Sequence, residues 1–412
     1  MNIEYEQVYV VELRIIKFFV VVVVFYIGFF QQVFFQIPHI LQVFGIIIVV
    51  FLIMDITKHS TPLNWFLTEE IFLWISFAIT SLAIGMIIVN NQMRLVSAIF
   101  TLMQHLVLII SLIYISKIDN NVAFINKLII SLMLVATVFT IFRGEGYLGS
   151  ARVSLTRNTN PNNLGILLVV GLNVLLSSLN LSLIRNNIFL IVVALAVFYV
   201  ATIGGSRATF LALLLTISYW AVFCYPREKA KSTHVAKRMV SLALFAIMLV
   251  LGFKFFKEIY ANSIVAERLN VLVDSGTGSR GAMYREAFEF FLKRPFFGVG
   301  YKNYENISKF NTYSHSTYAE VLACTGLLGT ILYLGAYFII MHKYLHLIKN
   351  TLGRSKIKRE TKMLFGLFLS LLFLGIAVIH YYEIYSNLAF ALLISYSNTH
   401  KQRRVSNQND IS

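Results

Sequence analysis

Apolar stretches long enough to cross a bilayer recur along the whole of this 412-residue chain, and no other feature limits its fold so strongly. A helix needs roughly 20 consecutive apolar residues to span a hydrocarbon core about 30 Å thick. Such runs fall near 15–30, 40–56, 71–89, 95–116, 128–142, 164–184, 188–203, 208–225, 239–256, 317–341, 363–380 and 386–397. They predict an all-α, polytopic membrane protein of about twelve transmembrane helices. Composition agrees, because a chain that is 58% apolar and 13% charged could not stay soluble as an aqueous domain. The first run follows Arg14 and Lys17, but Glu4, Glu6 and Glu12 precede it and QQVFFQ offers no small-residue cleavage site. It is expected to remain as a span. The two cysteines, Cys224 and Cys324, cannot build a disulfide framework.

The net charge of +16 raises the question of nucleic acid, and its distribution answers it. The densest basic segments, PREKAKSTHVAKR (226–238) and HKYLHLIKNTLGRSKIKRETK (342–362), are short loops between spans, where lysine and arginine mark the cytoplasmic side. Both loops and the tail KQRR then share one face, and by parity the N-terminus joins them. The predicted organisation is nine spans in residues 1–256, an extracytoplasmic loop with a surface helix at 257–316, three more spans at 317–397, and a cytoplasmic tail at 398–412. No nucleic-acid partner is expected.

Arg143, Arg152, Arg157, Arg207, Arg280 and Arg285 fall on the outer face, against the rule that set the topology. Planar guanidinium groups suit bidentate capture of phosphate, so an anionic, lipid-linked substrate would compensate them. Snorkelling to headgroups, or pairing with Glu145, Asp274 and Glu286, is the structural alternative. The segment 280–293 reads as a helix that stops before Pro295, with Tyr284, Ala287, Phe288 and Phe291 on one side and Arg285, Glu286 and Glu289 towards the other. Gly298 and Gly300 permit a tight turn after it.

Four stretches taken together resemble the O-antigen polymerase and ligase family of membrane glycosyltransferases: RVSLTRNTNPNNLG, GGSRATFLALLL, GSRGAMYREAFEFFLKRPFFGVGYKNY and HSTYAEVLACTGLLGTILY. The specific part runs from about 152 to 340. Two positions depart from the family pattern: His315 is followed by Ser316 rather than asparagine, and Asn160 stands where an acidic residue is frequent. The resemblance implies a GT-C-like helical fold and donors in which a glycan is carried on a polyprenyl diphosphate. It also implies a place in the bacterial plasma membrane, with the active site on the extracytoplasmic face.

The residue types narrow the chemistry further. Only four aspartates are present and none forms an Asp-x-Asp pair, which argues against a metal-dependent nucleotide-sugar transferase. The first outer loop, QQVFFQIPH, holds no carboxylate to serve as base, and no cysteine–histidine cluster has metal-ligand spacing. An acceptor hydroxyl must lose its proton as it attacks the anomeric carbon, and histidine does this near neutral pH. Of the histidines on the outer face, His39, His315 and His380, only His315 lies within the family-like stretches. It is the expected catalytic base, with Arg207 and Arg280 clamping the diphosphate and Arg285 as a further contact. Arg152, Arg157 and Glu383 are secondary candidates, and neither metal nor cofactor is expected. A base-assisted direct displacement would invert the anomeric carbon.

The function the resemblance implies is polymerisation of O-antigen or capsular repeat units, by transfer of a glycan from its polyprenyl-diphosphate carrier to a sugar hydroxyl of another lipid-linked unit. Its partners would be those lipid-linked oligosaccharides, membrane lipids, a chain-length regulator and a flippase. Ligation to a lipid A core is the alternative within the family. A flippase or transporter would instead carry its binding groups near the midplane, where only Lys17, His105 and Lys254 stand out. A non-catalytic scaffold would tolerate loss of His315.

Overall fold

The computed structural model describes residues 2–33, 40–58, 67–88, 92–146, 152–156, 160–178, 184–224, 278–351 and 355–409. The predicted span at 239–256 and the loop at 226–238, together with His39, Arg157, Lys254 and Asp274, lie outside the described residues. Apart from a two-residue antiparallel ladder, in which Glu145 faces Ser154 and Gly146 faces Val153, the described chain is helix and turn.

The helices are α1 (Asn2–Phe25, extended by a π turn over Tyr26–Phe30), α2 (Ile40–Lys58), α3 (Glu69–Ile88), α4 (Gln92–Ile118), α5 (Ala123–Arg143) and α6 (Pro161–Ser178). They continue with α7 (Ile184–Ile203), α8 (Arg207–Tyr219, with a π turn to Cys224), α9 (Gly278–Lys293), α10 (Thr317–Asn350), α11 (Ser355–Leu374) and α12 (Ile384–Asn409). Among the described residues eight helices are long and apolar enough to cross a membrane, so the protein is a multi-pass membrane protein.

Helix α6 is the axle of the bundle. Nearly all its side chains are buried, and it packs against α5, α7, α8, α11 and α12. Such enclosure needs close approach of neighbouring backbones, which small residues allow. A Cβ added at Gly165 would collide with the Thr209 side chain on α8. The N-terminus of α6 follows from its sequence. Asn160 accepts the Asn162 N–H through its side chain at 2.9 Å, and Pro161 takes the first helical position, where no N–H is needed.

Charged groups inside the bundle are paired. Lys343 on α10 meets the fully buried Glu70 of α3 at 2.6 Å, Lys17 meets Asp119 at 2.8 Å, and buried Asp55 accepts the Tyr114 hydroxyl. His105 is tied to α12, with Nδ1 lying 3.0 Å from Nδ2 of Asn387. Two of the three polar groups expected to be deep, Lys17 and His105, are therefore bound into the packing.

Helix α10 is broken at Gly326, which has φ 62° and ψ −160°. The break frees backbone groups that a hydrocarbon setting cannot satisfy. The Pro295–Gly300 segment supplies their partners. Val299 and Gly300 donate to the carbonyls of Ala323 and Cys324, both at 2.9 Å, while Leu327 donates to Pro295 at 2.7 Å. Gly298, with φ 68°, faces Gly326 across this contact. A Cβ on Gly326 would lie 2.5 Å from the Phe296 carbonyl carbon, and one on Gly298 2.5 Å from the Ala323 oxygen. Gly326→Ala is therefore expected to cost about 1–3 kcal/mol or more from backbone strain alone, with steric clash added. A lowered Tm in detergent is the readout, and Gly45→Ala, whose added methyl meets nothing within 4 Å, should leave the Tm unchanged.

Candidate active site

The start of α6, the turn before α8, the start of α9, the loop before α10 and the turn between α11 and α12 meet at one end of the bundle. Arg152 leaves the two-residue strand and binds two of these elements at once. Its Nε donates to the Gly204 carbonyl at 3.1 Å and its Nη2 to Oδ1 of Asn162 at 3.2 Å. The α7–α8 turn reads Gly-Gly-Ser-Arg for physical reasons. Gly205 takes φ 62°, and the Ser206 hydroxyl caps α8 by accepting from the Thr209 N–H and hydroxyl. Arg207 follows at the first helical position, half-buried.

His315 lies in the turn before α10 with φ 59°, a left-handed conformation uncommon for a residue with a Cβ. The turn is tied down from several sides. The buried Glu320 carboxylate accepts the Ser314 N–H at 2.8 Å, Ser316 caps α10, and the Thr317 N–H donates to the carbonyls of Gly375 and Val378. Tyr284 of α9 donates to the Ile376 carbonyl at 2.7 Å, which brings α9 onto the same α11–α12 turn.

The imidazole rests on the Tyr313 ring, with centroids 4.3 Å apart. The Tyr313 hydroxyl in turn accepts from Nδ2 of Asn160 at 2.9 Å, so the residue that caps α6 also steadies the ring against His315. Nδ1 of His315 is buried and has no hydrogen-bond partner among the described residues. Burial, then the positive charges of Arg280 and Arg152, push the ring down to about 4. Arg280, half-buried in the first turn of α9, also lies within electrostatic range of Arg207. Glu383 belongs to the same end of the bundle, because Asn163 in the first turn of α6 donates to it. Burial raises its carboxyl to about 7 against that hydrogen bond.

The structure thus brings Arg152, Arg207, Arg280, His315 and Glu383 to one region. It leaves Arg285 exposed on α9, and among the described residues no hydrogen bond joins it to the others. The phase of α9 differs from the sequence-based expectation. Met283, Glu286 and Ala287 face inward, and Phe288 faces out. The cause is tertiary, since Glu286 accepts from the Tyr304 hydroxyl (2.9 Å), the Ser308 hydroxyl (2.5 Å) and the Lys309 N–H (3.0 Å). Burial acts against its charge, yet those hydrogen bonds and the charge of Lys309 outweigh it and hold the carboxyl below its ordinary range. Asn160, Asn163 and Tyr313 were not anticipated as site residues. The Asn-Pro-Asn-Asn run signalled a helix cap, but its reach to Tyr313 could not be read locally.

Residues 190–334 match the O-antigen ligase family. The matched region contains Arg207, Arg280, Arg285, Tyr313 and His315, while Arg152, Asn160 and Glu383 lie outside it. No curated protein sequence matches the chain. Among solved structures it is similar, at 14% identity and a TM-score of 0.47 over 81% of this chain and 97% of the other, to a chain from a structure described as the structural coordination of polymerization and crosslinking by a peptidoglycan synthase complex.

A histidine held neutral by its surroundings has a checkable signature. His315 should stay unprotonated down to about pH 5, and Arg280→Gln should raise its pKa, as read by NMR of histidine-labelled protein in nanodiscs. The sign for stability follows, because an unfolded chain takes up this proton near pH 6.5 whereas the folded site refuses it until about 4. The neutral ring's contribution is complete above that upper value and is lost as pH falls towards the lower one. An unshifted titration would show the ring to be solvated.

Proposed function

We propose that this chain is a membrane glycosyltransferase that polymerises O-antigen or capsular repeat units, moving a glycan from a polyprenyl diphosphate to a sugar hydroxyl of a second lipid-linked unit. The observation that carries the proposal is the His315 ring, packed on Tyr313, with one nitrogen unpartnered among the described residues, and lying in the field of Arg280 and Arg152. An anionic diphosphate entering beside these guanidinium groups would cancel their field, which is second to burial in depressing the ring, so the ring would regain part of its basicity as the substrate arrives. It could then take the proton from the acceptor hydroxyl as that oxygen attacks the anomeric carbon. Charge growing on the departing phosphate oxygen would be stabilised by Arg207 and Arg280, more in the transition state than before it. One displacement of this kind inverts the anomeric carbon and uses no metal.

The open apolar surface formed by Phe29, Leu134, Val138 and Phe142, with Arg143 at its edge, would accommodate the lipid part of such a substrate. Arg143 ends α5 just before Glu145, which pairs with Ser154 beside Arg152. In this proposal about twelve spans in a GT-C-like layout cross the bacterial plasma membrane. Residues 257–316 form an extracytoplasmic loop, and the site opens on that face. Arg157 is a further phosphate contact, and a chain-length regulator and a flippase are working partners. The matched family's name applies equally to ligation onto a lipid A core, which would use the same base and clamp.

Purified protein in liposomes, given a polyprenyl-diphosphate repeat unit without metal or nucleotide, is expected to yield a ladder of longer glycans. His315→Gln should abolish the ladder, and Arg207→Ala or Arg280→Ala should each lower kcat on the order of 10²–10³-fold. Product attached only to an added lipid A core would reassign the chain to ligation. A ladder undiminished in the His315 variant would end the proposal.

A further inference from the structure

Helix α9 is amphipathic in a way its role in the site does not use. Its inner face, with Met283, Glu286 and Ala287, is buried on α10 and on Tyr304. Its outer face is split along the axis. Phe288 and Leu292, four residues apart on one stripe, are 51% and 61% exposed, and Phe296 and Phe297 continue them at 67% and 53%. Arg285, Glu289 and Lys293 form the neighbouring stripe and are also exposed.

The apolar stripe is continuous with the flank of α10. Beyond its break that helix exposes Leu327, Leu328, Ile331 and Phe338, an apolar face on a segment long enough to span a bilayer. The Leu327 N–H donates to Pro295 and the Leu328 N–H to Phe296, so the two surfaces are joined backbone to backbone. Water on Phe296 and hydrocarbon on Leu328 would require the bilayer boundary to pass through that hydrogen-bonded contact. Lys293 and Arg294, exposed between Leu292 and Phe296, are long enough to snorkel from such a position to lipid phosphates.

We propose that residues 288–297 are an interfacial membrane anchor, with Phe288, Leu292, Phe296 and Phe297 in the hydrocarbon of the adjacent leaflet and Lys293 and Arg294 at its phosphates. The occupant of this surface is lipid, whatever reaction the cluster performs. The anchor has a consequence for the site, since Arg280 begins the same helix about two turns before Phe288 and so is held at a set depth near the headgroups.

The test uses full-length protein in liposomes, with spin labels on Phe288→Cys, Leu292→Cys, Phe296→Cys, Arg285→Cys or Glu289→Cys; native Cys224 and Cys324 are buried. Labels at 288, 292 and 296 should relax severalfold more with oxygen, which concentrates in hydrocarbon, than with a water-soluble nickel chelate; labels at 285 and 289 should show the reverse. The unaltered protein, labelled by a carbene precursor carried on a lipid, should acquire adducts on 288–297 as readily as on 327–338. Preference for nickel at all sites would place the segment in water. Shielding from both reagents would show that protein, from this chain or another, covers it. Either result, or adducts confined to 327–338, overturns the proposal.

Discussion

The break in α10 governs the arrangement of the site. Where that helix opens at Gly326, four backbone groups would be stranded in an apolar setting, and only another stretch of backbone can satisfy them. The Pro295–Gly300 segment does so, and the pairing is possible because glycine stands on both sides of the contact. The docking fixes the exit of α9 on α10. The same helix carries His315 in the turn before its first residue, so one element sets the imidazole and, through α9, Arg280.

A second layer of positioning comes from helix starts rather than from helix faces. Asn160 caps α6, Ser206 caps α8 and Ser316 caps α10, and each cap stands within a residue or two of a candidate side chain or its support. Helix N-termini present backbone N–H groups and partial positive charge, and here they share a region with Arg152, Arg207 and Arg280. Excess positive charge at a buried histidine is costly until an anion offsets it.

Much of this was legible along the chain. Run length and the placement of lysine and arginine identify a multi-pass helical membrane protein because both are local properties of the bilayer as a solvent. The candidate list of Arg207, Arg280 and His315 came from a family resemblance together with the chemistry a glycosyl transfer needs. The support was hidden. Asn160 reaches Tyr313 across 153 positions, and Asn163 reaches Glu383 from another helix, so neither contact leaves a trace in local spacing.

Sequence by itself determined that the chain must bury its backbone in helices, where those helices run, and that positive charge accumulates in particular turns. Only the tertiary structure decided which charges share a site and which way each helix faces. On α9 the outcome turned on one residue. Glu286 is drawn inward because Tyr304, Ser308 and Lys309 offer it three donors, and that rotation leaves Arg285 and Phe288 outside. The free energy of a buried carboxylate depends on partners supplied by distant segments, and a short pattern of polar and apolar letters does not contain them.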